Sequence, residues 1–431
     1  MKRIYSVLIL AAALLLTLLY TFTFGIPREA QAATVATHVP TATPVPTKKT
    51  PVTTTPTPLP PPNIPLFIGV NNGKSLYDGD VWSWSVMQFS KRTNGGYNQL
   101  PVVSPTADWV VYLQVPDAYA RLQPNHDNFP APTDVYLLNI KTNQTTRITS
   151  QPKNILADYD NQIIRYTMRS EPSWSPDGKS LAWTEIAIDQ PNNVNTDWSA
   201  EQLVIYDLKT KQQRTIIDKL PDHRLVGGGP LLSAVSWGPG GLLAVLNYTS
   251  ADGVDDVFVY DVQGRLISHV PEVTTADPQY DGTQLIWLTG ATNTMLSCVS
   301  CNTQINPQTG DLLPLPGTPE VYSQLAPNKL SMYFGNDSGT EGNVTWLVLL
   351  NGVQVSKFDS VRLAKLSDMG ISPDGLQVAV ANYAGQGSTA GVFIYRATAP
   401  DKPPVTVTLN VTGMGWGPLG WRVYPDLTQY F

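Results

Sequence analysis

Residues 171 to 185, EPSWSPDGKSLAWTE, bring together side chains that could do chemistry. Ser175 and Asp177 flank a proline between two tryptophans, which are the residue types of a nucleophile with an acidic partner. The same residues also fit a tight turn. The proline fixes its own φ, the aspartate bonds the local backbone, and Gly178 takes the strained last position. The choice depends on whether the stretch is unique in the chain.

The stretch is one of seven gap-free copies of a short pattern. Each copy has an apolar strand end, a turn and a second apolar strand, and most carry a proline at the third position. The copies begin at Val103, Trp174, Trp237, Pro278, Leu325, Ile371 and Trp416. Because a catalytic pair is not expected to recur in this way, we interpret Ser175 and Asp177 as turn residues that close a β-hairpin.

A second pair of strand-like segments follows most copies, for example DVYLLNIKTNQTTRIT from Asp134 and QLVIYDLKTKQQRTII from Gln202. One unit therefore holds four antiparallel strands. From Trp237 onwards the copies begin 41 to 47 residues apart, which is typical of the blades of a β-propeller. We predict an all-β fold, a β-propeller of seven four-stranded blades, with six or eight blades as alternatives.

The last copy has no strands after it, so its blade needs partners from elsewhere in the chain. Residues 64–92 contain the strand-like segments LFIGV and DVWSWSV but lack the proline turn. We predict that they complete the last blade, so that strands from the two ends of the chain pair and close the ring. Such pairing removes exposed sheet edges.

The amino terminus predicts export. Lys2 and Arg3 precede an apolar run over residues 4–26, and Ala30 and Ala32 have the small-x-small spacing of a signal peptidase site. The run is also long enough to cross a bilayer. Residues 1–32 are therefore either a signal-anchor transmembrane helix or a signal peptide cleaved near Ala32. Both alternatives place the rest of the chain outside the cytoplasm.

Residues 33–63 are almost entirely Thr, Pro, Ala and Val and contain no aromatic side chain. We predict a disordered linker, either a spacer away from the membrane or a linker with no length requirement. The propeller domain is predicted to span residues 64–431. A net charge of −6 with 14% charged residues disfavours nucleic acid as a partner. We expect a monomer that contacts membrane only through its amino-terminal segment.

The segments SWSPDGKSLAWTE, followed by LVIYDLKT, and ISPDGLQVAVANY, followed by GVFIYR, resemble the repeats of the TolB-type, WD-like propellers. The resemblance covers about residues 64–431 and implies the fold rather than a function. The TolB family carries a separate amino-terminal domain and works with envelope partners. Here the Thr/Pro-rich segment occupies that place, so the family's role is not carried over. The G-x-S-x-G elbow of propeller-containing peptidases is absent from the sequence.

Two cysteines, Cys298 and Cys301, and two acidic loops have the composition of special sites. In an exported protein a disulfide is the expected state of the cysteines, with a redox pair or a metal site as alternatives. A bridge across three positions requires a local turn, because a regular strand would point the two side chains to opposite faces. The loops at 250–257 and 335–343 have oxygen ligands suited to calcium but lack the EF-hand spacing. We expect no other cofactor.

Four long segments interrupt the first two full blades at residues 115–133, 150–171, 186–201 and 218–233. In four antiparallel strands, the turn between the second and third strands and the link to the next blade lie at the same end. We therefore predict one binding face for a protein, peptide or glycan ligand of the cell envelope. Its candidate side chains, which could alternatively pack the loops onto the ring, are Tyr119, Arg121, His126, Phe129, Tyr159, Arg165, Tyr166, Trp198 and Arg224.

We predict no catalytic residue. The chain has four histidines, and a Ser-His-Asp constellation would have to be assembled from distant blades. The alternative function is an extracytoplasmic glycan hydrolase or lyase with acidic residues around the central channel.

Overall fold

The chain divides into two units, Met1–Thr55 and Pro56–Phe431. The structure is a computed structural model, and the residues it describes all belong to the second unit. They are residues 65–71, 79–85, 88–122, 131–158, 163–190, 200–221, 225–226, 229–230, 232–248, 254–274, 285–289, 294–298, 303–314, 320–324, 330–336, 343–350, 353–361, 367–371, 377–382, 391–396, 405–407 and 411–416. The predicted signal or anchor (1–32) and the predicted linker (33–63) lie outside these ranges, and no helix within them is long and apolar enough to span a membrane.

The described residues are almost entirely β-strands. The first strands are β1 (Leu66–Asn71), β2 (Gly79–Ser85), β3 (Gln88–Lys91), β4 (Asn98–Val103), β5 (Trp109–Gln114), β6 (Asp134–Asn139), β7 (Thr145–Arg147), β8 (Leu156–Asp158), β9 (Ile163–Arg169), β10 (Ser173–Trp174) and β11 (Ser180–Gln190). They continue with β12 (Gln202–Asp207), β13 (Gln212–Ile217), β14 (Leu225–Val226), β15 (Gly229–Pro230), β16 (Ala234–Trp237), β17 (Leu242–Tyr248), β18 (Val254–Asp261), β19 (Leu266–Thr274), β20 (Leu285–Thr289) and β21 (Thr294–Cys298).

The strands of the carboxyl-terminal part are β22 (Thr303–Ile305), β23 (Leu312–Pro314), β24 (Glu320–Gln324), β25 (Leu330–Asn336), β26 (Asn343–Leu350), β27 (Val353–Val361), β28 (Ser367–Ile371), β29 (Gln377–Asn382), β30 (Gly391–Arg396), β31 (Val405–Val407) and β32 (Val411–Trp416). The α-helix α1 (Asp117–Leu122) lies between β5 and β6, and a 3₁₀ turn (Pro239–Gly241) joins β16 to β17.

Strands that follow one another in the chain form antiparallel sheets. Within the described ranges the four-stranded sheets are β4–β5–β6–β7, β16–β17–β18–β19, β20–β21–β22–β23, β24–β25–β26–β27 and β28–β29–β30–β31. A larger sheet has the order β13–β12–β11–β9–β8, with β10 paired to β11, and β14 pairs with β15. These sheets confirm the predicted all-β fold class.

One further sheet combines strands that are far apart in the chain. Its order is β3–β2–β1–β32, and β1 pairs antiparallel with both β2 and β32. In the second of these pairings Leu66 lies opposite Trp416 and Ile68 lies opposite Met414. Residues predicted to complete the last blade thus share a sheet with the strand that leads into the last copy of the repeat.

The apolar core is distributed between successive sheets. One cluster joins Leu113 of β5 to Trp183 of β11, and the next joins Ala182 of β11 to Val245 of β17. Because successive residues of a strand point to opposite faces, Trp183 and Ala182 cover the two faces of one sheet. Further clusters join the sheet of β17 to Ile305, the sheet of β1 to β5, and the sheet of β1 to β29 and β30. The sheets in the middle of this series are buried on both faces, as propeller blades are.

The turn at residues 175–180 has the local structure predicted for it. The Ser175 amide donates to the Ser180 carbonyl, and the Gly178 amide donates to the Ser175 carbonyl. Gly178 has φ +68°, a conformation that a side chain disfavours. The Ser175 hydroxyl donates to the Asp177 carboxylate at 2.7 Å, and this bond holds the pKa of Asp177 below its usual value. Ser175 and Asp177 therefore close the β10–β11 hairpin.

The turns between third and fourth strands pack against the preceding sheet. Gly264, between β18 and β19, has φ +84°, and a Cβ there would lie 2.2 Å from the Ile216 carbonyl oxygen of β13. Gly310, between β22 and β23, has φ +78°, and its Cβ would lie 3.2 Å from the His269 carbonyl oxygen of β19. Glycine at these positions lets the main chains of neighbouring sheets approach closely.

Replacing Gly264 by alanine tests this packing, and Gly240→Ala is a matched control. Both glycines have positive φ, but a Cβ at Gly240 meets no atom within 4 Å. We expect Gly240→Ala to lower the free energy of unfolding by about 1 kcal/mol through the backbone conformation alone. Gly264→Ala should lower it by about 3 kcal/mol, because overpacking against the Ile216 carbonyl is added. Urea unfolding measures both, and equal losses would contradict the close approach of the two sheets.

Candidate functional site

The predicted binding face is more regular than the sequence indicated. The segment 150–171, predicted as a loop, contains β8 and β9, and the segment 186–201 begins as the outer part of β11, which runs to Gln190. Residues 191–199 lie outside the described residues. The segment 115–133 joins β5 to β6 as predicted and contains α1. Two of the predicted loops therefore contain strand residues. They pair with each other because each strand supplies hydrogen-bond partners for the backbone of the other.

Strand β11 changes partners along its length. From Ser180 to Glu185 it pairs with β12, and from Glu185 to Gln190 it pairs with β9, with Ile186 opposite Met168 and Ile188 opposite Tyr166. The blade-linking segment and the segment between second and third strands are therefore joined directly at one end of this sheet. We refer to α1, β8, β9 and residues 186–190 of β11 as the subdomain.

An apolar cluster holds the subdomain together. Tyr119 of α1 and Tyr166 of β9 meet edge to face with ring centroids 5.7 Å apart, and they pack with Met168, Ile186 and Ile188. The two tyrosines are only 0% and 1% exposed. They were candidates for ligand contact, but their burial makes them packing residues: an aromatic side chain without exposed surface cannot form an interface anchor in this structure.

The other face of the β9–β11 ribbon is polar. Arg165 of β9 is half-buried and lies opposite Asp189 of β11 in the strand register. Further along the ribbon, Arg169 donates to the Glu185 carboxylate at 2.9 Å. This face therefore carries charged groups of both signs, and Arg165 is a candidate binding side chain with solvent-accessible surface.

The remaining candidate residues divide by their place in the structure. The backbone of Arg121 lies in the last turn of α1. Of the candidate side chains, those outside the described residues are His126, Phe129, Tyr159, Trp198 and Arg224. The structure thus brings Tyr119, Tyr166 and Arg165 into one subdomain, and the binding role of the undescribed side chains stays a prediction.

A buried ion cluster that was not predicted from the sequence lies where β6 meets β9. Asp134, at the start of β6, is 2% exposed and meets both Arg147 and Arg169. Burial raises the pKa of Asp134 above its usual value, and the two guanidinium groups offset part of that rise. Arg169 also donates to the Thr133 carbonyl. The cluster ties β6 to β9, and so fixes the subdomain on the sheet that carries Asp134.

A sequence signal for this cluster was present in the repeat. An Asp-Val pair near the start of a third strand is followed 11 or 13 residues later by a basic side chain or a histidine. The observed ion pairs are Asp80 with Lys91, Asp134 with Arg147, and Asp256 with His269. In each pair the base lies on the neighbouring fourth strand. The pairs are therefore a property of the repeat and do not indicate a catalytic site.

A second missed group is Glu201, which directly precedes β12. It is fully buried, and its carboxyl accepts bonds from the amide and hydroxyl of Ser233 at 2.6 and 2.7 Å. Burial raises the pKa of Glu201 to about 7. A carboxyl with this pKa has the acid–base property of a catalytic group, but it has no exposed surface in this structure. Nothing in its sequence neighbourhood distinguishes it from a surface acid.

The cysteines and the acidic loops lie mostly beyond what the structure describes. Cys298 ends β21, whereas Cys301 is outside the described residues, so the disulfide stays a prediction. The ends of the loops at 250–257 and 335–343 belong to β18, β25 and β26, and their other residues are not described. Within the described ranges, no three His, Cys, Asp or Glu side chains are grouped so that they could hold a metal ion.

No protein-family model and no curated protein matches the chain. Among solved structures, a puromycin hydrolase is 10% identical with a TM-score of 0.47, over 83% of this chain and 54% of the hydrolase. The β-propeller domain of the Trilobed protease from Pyrococcus furiosus is 11% identical with a TM-score of 0.37, over 69% of this chain and 80% of that domain.

Dipeptidyl peptidase 4 of Porphyromonas gingivalis is 11% identical with a TM-score of 0.39, and the match covers 77% of this chain. The chain spans about half of that peptidase, with 48% of its length covered. At these identities the structures are similar in fold alone, and the TolB-type assignment stays a prediction.

The edge-to-face tyrosine pair generates a test of the subdomain. We expect Tyr166→Ala to lower the free energy of unfolding by about 3 to 5 kcal/mol, because a large buried ring is removed from the cluster around Met168 and Ile186. Tyr166→Phe keeps the ring and should cost about 1 kcal/mol. Chemical unfolding compares the two variants. If alanine were tolerated as well as phenylalanine, the ring would not hold the subdomain together.

Proposed function

We propose that this chain is an exported, membrane-tethered β-propeller that binds a protein, peptide or glycan ligand of the cell envelope through its subdomain and the adjoining long segments. The observation that carries the proposal is the joining of segments 150–171 and 186–201 by β-pairing between β9 and β11. Together with α1, the described parts of these segments form the subdomain. A surface assembled from variable segments on a rigid scaffold is where binding sites usually lie.

The scaffold that we propose is a ring of seven four-stranded blades. Support comes from the sheet β3–β2–β1–β32, which unites strands from near the two ends of the described chain. It also comes from the apolar clusters that join this sheet both to β5 and to β29 and β30. Pairing the two ends in one blade covers the sheet edges that an open array would expose.

The subdomain is additional to the repeat. A blade needs four strands, and β8 and β9 extend the sheet that already contains β10 to β13. The extension costs backbone order, which its own apolar cluster around Tyr119 and Tyr166 offsets. Because the blade is complete without β8 and β9, the presence of these two strands favours a role in binding rather than in stabilising the fold.

The surroundings of Asp134 and Glu201, the two carboxyls whose pKa is raised by burial, favour binding over catalysis. Asp134 is 2% exposed and paired with two arginines, and Glu201 is 0% exposed. Neither carboxyl can contact a substrate in this structure. The described residues thus provide no observation that favours the alternative of a glycan hydrolase or lyase.

Replacing residues 191–199, within the segment 186–201, tests the proposed binding face. Replacing residues 191–199 by a short Gly/Ser connection leaves β11 and Glu201 intact, so the domain should fold normally. We expect the variant to lose capture of the ligand in a pull-down from its own cell envelope, because the segment contains Trp198 and adjoins the ribbon.

The control for this experiment is the double variant Lys209→Ala and Lys211→Ala. Both lysines are exposed in the β12–β13 turn, at the opposite end of the sheet. The control should capture the ligand as the unmodified chain does. Unchanged capture after replacement of 191–199, in a protein with normal stability, would place the binding face elsewhere.

Arg165 provides a single-residue test of the polar ribbon face. We expect Arg165→Ala to weaken binding of the captured ligand about tenfold, because an arginine at an interface provides both charge and area. Lys179→Ala, at the other end of β11, is the control and should bind as the unmodified chain does. Titration of the purified ligand measures both affinities. Equal affinities for the two variants would exclude the ribbon from the contact.

A further inference from the structure

Glu201 connects two of the long segments that flank the proposed face. It ends the segment 186–201, while Leu220 and Ser233 lie near the two ends of the link 218–233. The Leu220 amide donates to the Glu201 carbonyl at 2.8 Å, and the Ser233 amide and hydroxyl donate to the Glu201 carboxyl. One residue therefore holds both ends of the link, through its backbone at Leu220 and its side chain at Ser233.

Strand β11 also fixes the position of Ser233. The Thr184 hydroxyl of β11 donates to the Ser233 carbonyl at 2.8 Å, and the Thr184 amide donates to the Ser170 hydroxyl. Glu201, Ser233 and Thr184 are each 0% exposed. The connection is thus a buried hydrogen-bond network, in which an unsatisfied group would be costly.

The groups around the Glu201 carboxyl are neutral wherever the structure describes them. On β11 the neighbouring group is Thr184, and the adjacent Glu185 is paired with Arg169. In the link 218–233 the contacting residues are Leu220 and Ser233, and the charged residues Asp218 and Lys219 are exposed. From β17, Asn247 bonds the Pro221 carbonyl. His223 and Arg224 of the same link lie outside the described residues.

A buried carboxyl with neutral donors is more stable protonated than ionised, because burial penalises the charged form. Burial accordingly raises the pKa of Glu201 from 4.5 to about 7, and the bonds from Ser233 and Thr184 offset part of the rise. A pKa raised in the closed state means that the contribution of Glu201 to closure is fully present below about pH 4.5. It is lost progressively as the pH rises to about 7.

We propose that Glu201 is a protonation-sensitive latch, which holds Leu220 and Ser233 in acidic surroundings and releases them when ionised. Opening lets water solvate the carboxylate, so ionisation favours the released form. The consequence for ligand capture rests on the proposed function, whereas the latch itself does not.

Hydrogen exchange of the purified full chain tests the latch without any ligand. Exchange of peptides covering residues 200–203 and 219–235 is compared between the unmodified chain and Glu201→Gln, at matched pH values from 4.5 to 8. The ratio of the two rates removes the intrinsic pH dependence of exchange. It should be near one at pH 4.5 and rise by on the order of 100-fold by pH 8, because only the carboxyl ionises.

Asp207→Asn is the matched control, since Asp207 ends the same strand β12 and bonds Thr210 in an exposed turn. This variant should keep the pH profile of the unmodified chain in both peptides. A rate ratio for Glu201→Gln that stays constant with pH would overturn the latch. So would an equal rise in peptides from β18 and β19, because the opening would then be global.

Ser233→Ala is a second variant that tests the same contact when Glu201→Gln is poorly folded. The variant removes the hydroxyl that donates to the carboxyl and so withdraws a bond that lowers the pKa of Glu201. The pH range over which protection is lost should extend upward by about one unit. An unchanged range would contradict the assigned contact. Ligand capture that is independent of pH, with the exchange result as expected, would overturn the regulatory consequence and leave the latch standing.

Discussion

The arrangement of the described sheets depends on one constraint, which is that the sheets of β5, β11 and β17 have two apolar faces and must bury both. Trp183 and Ala182 are adjacent in β11, yet they belong to clusters on opposite sides of their sheet. Such a sheet is stable only between two others, because apolar surface left in water forfeits the main driving force for folding. The constraint explains the close turn packing at Gly264, and it explains why strands from the two ends of the described chain share one sheet.

The proposed binding surface follows from the number of strands in a blade. With four antiparallel strands, the connection between the second and third strands and the link to the neighbouring sheet leave from the same end. Segments 186–201 and 150–171 therefore meet without any special signal, and β11 only has to continue past Glu185 to find β9 as its partner. The burial of Tyr119 and Tyr166 then joins three connections, 115–133, 150–171 and 186–201, into a subdomain with a defined polar face.

The sequence allowed the repeat and its hairpins to be predicted because the turn chemistry is local. Proline, aspartate and glycine at residues 176–178 determine a turn whatever surrounds them, and the structure confirms it. The strands within 150–171 were missed although IIRYTMR alternates, because they are additional to the repeat that guided the assignment. For Tyr119 and Tyr166 the sequence left open whether they contact a ligand or pack the loops onto the ring, since composition cannot tell which side of a ribbon a ring faces. Both rings are buried in the structure.

The buried acids show that position within the repeat decides what a carboxyl does. Asp80, Asp134 and Asp256 lie near the starts of third strands, and each meets a basic side chain or a histidine on the fourth strand. In the enlarged sheet Gln202 begins the third strand, and Arg169 of β9 is paired with both Glu185 and Asp134. Glu201, one residue earlier, has only neutral donors among the described contacts. The sheet that contains β8 and β9 thus lacks the ion pair that the other three sheets share. Next to the corresponding position it carries Glu201, whose burial is compensated by hydrogen bonds alone. Because hydrogen bonds from neutral groups stabilise a buried charge less than an ion pair does, burial raises the pKa of Glu201 to about 7.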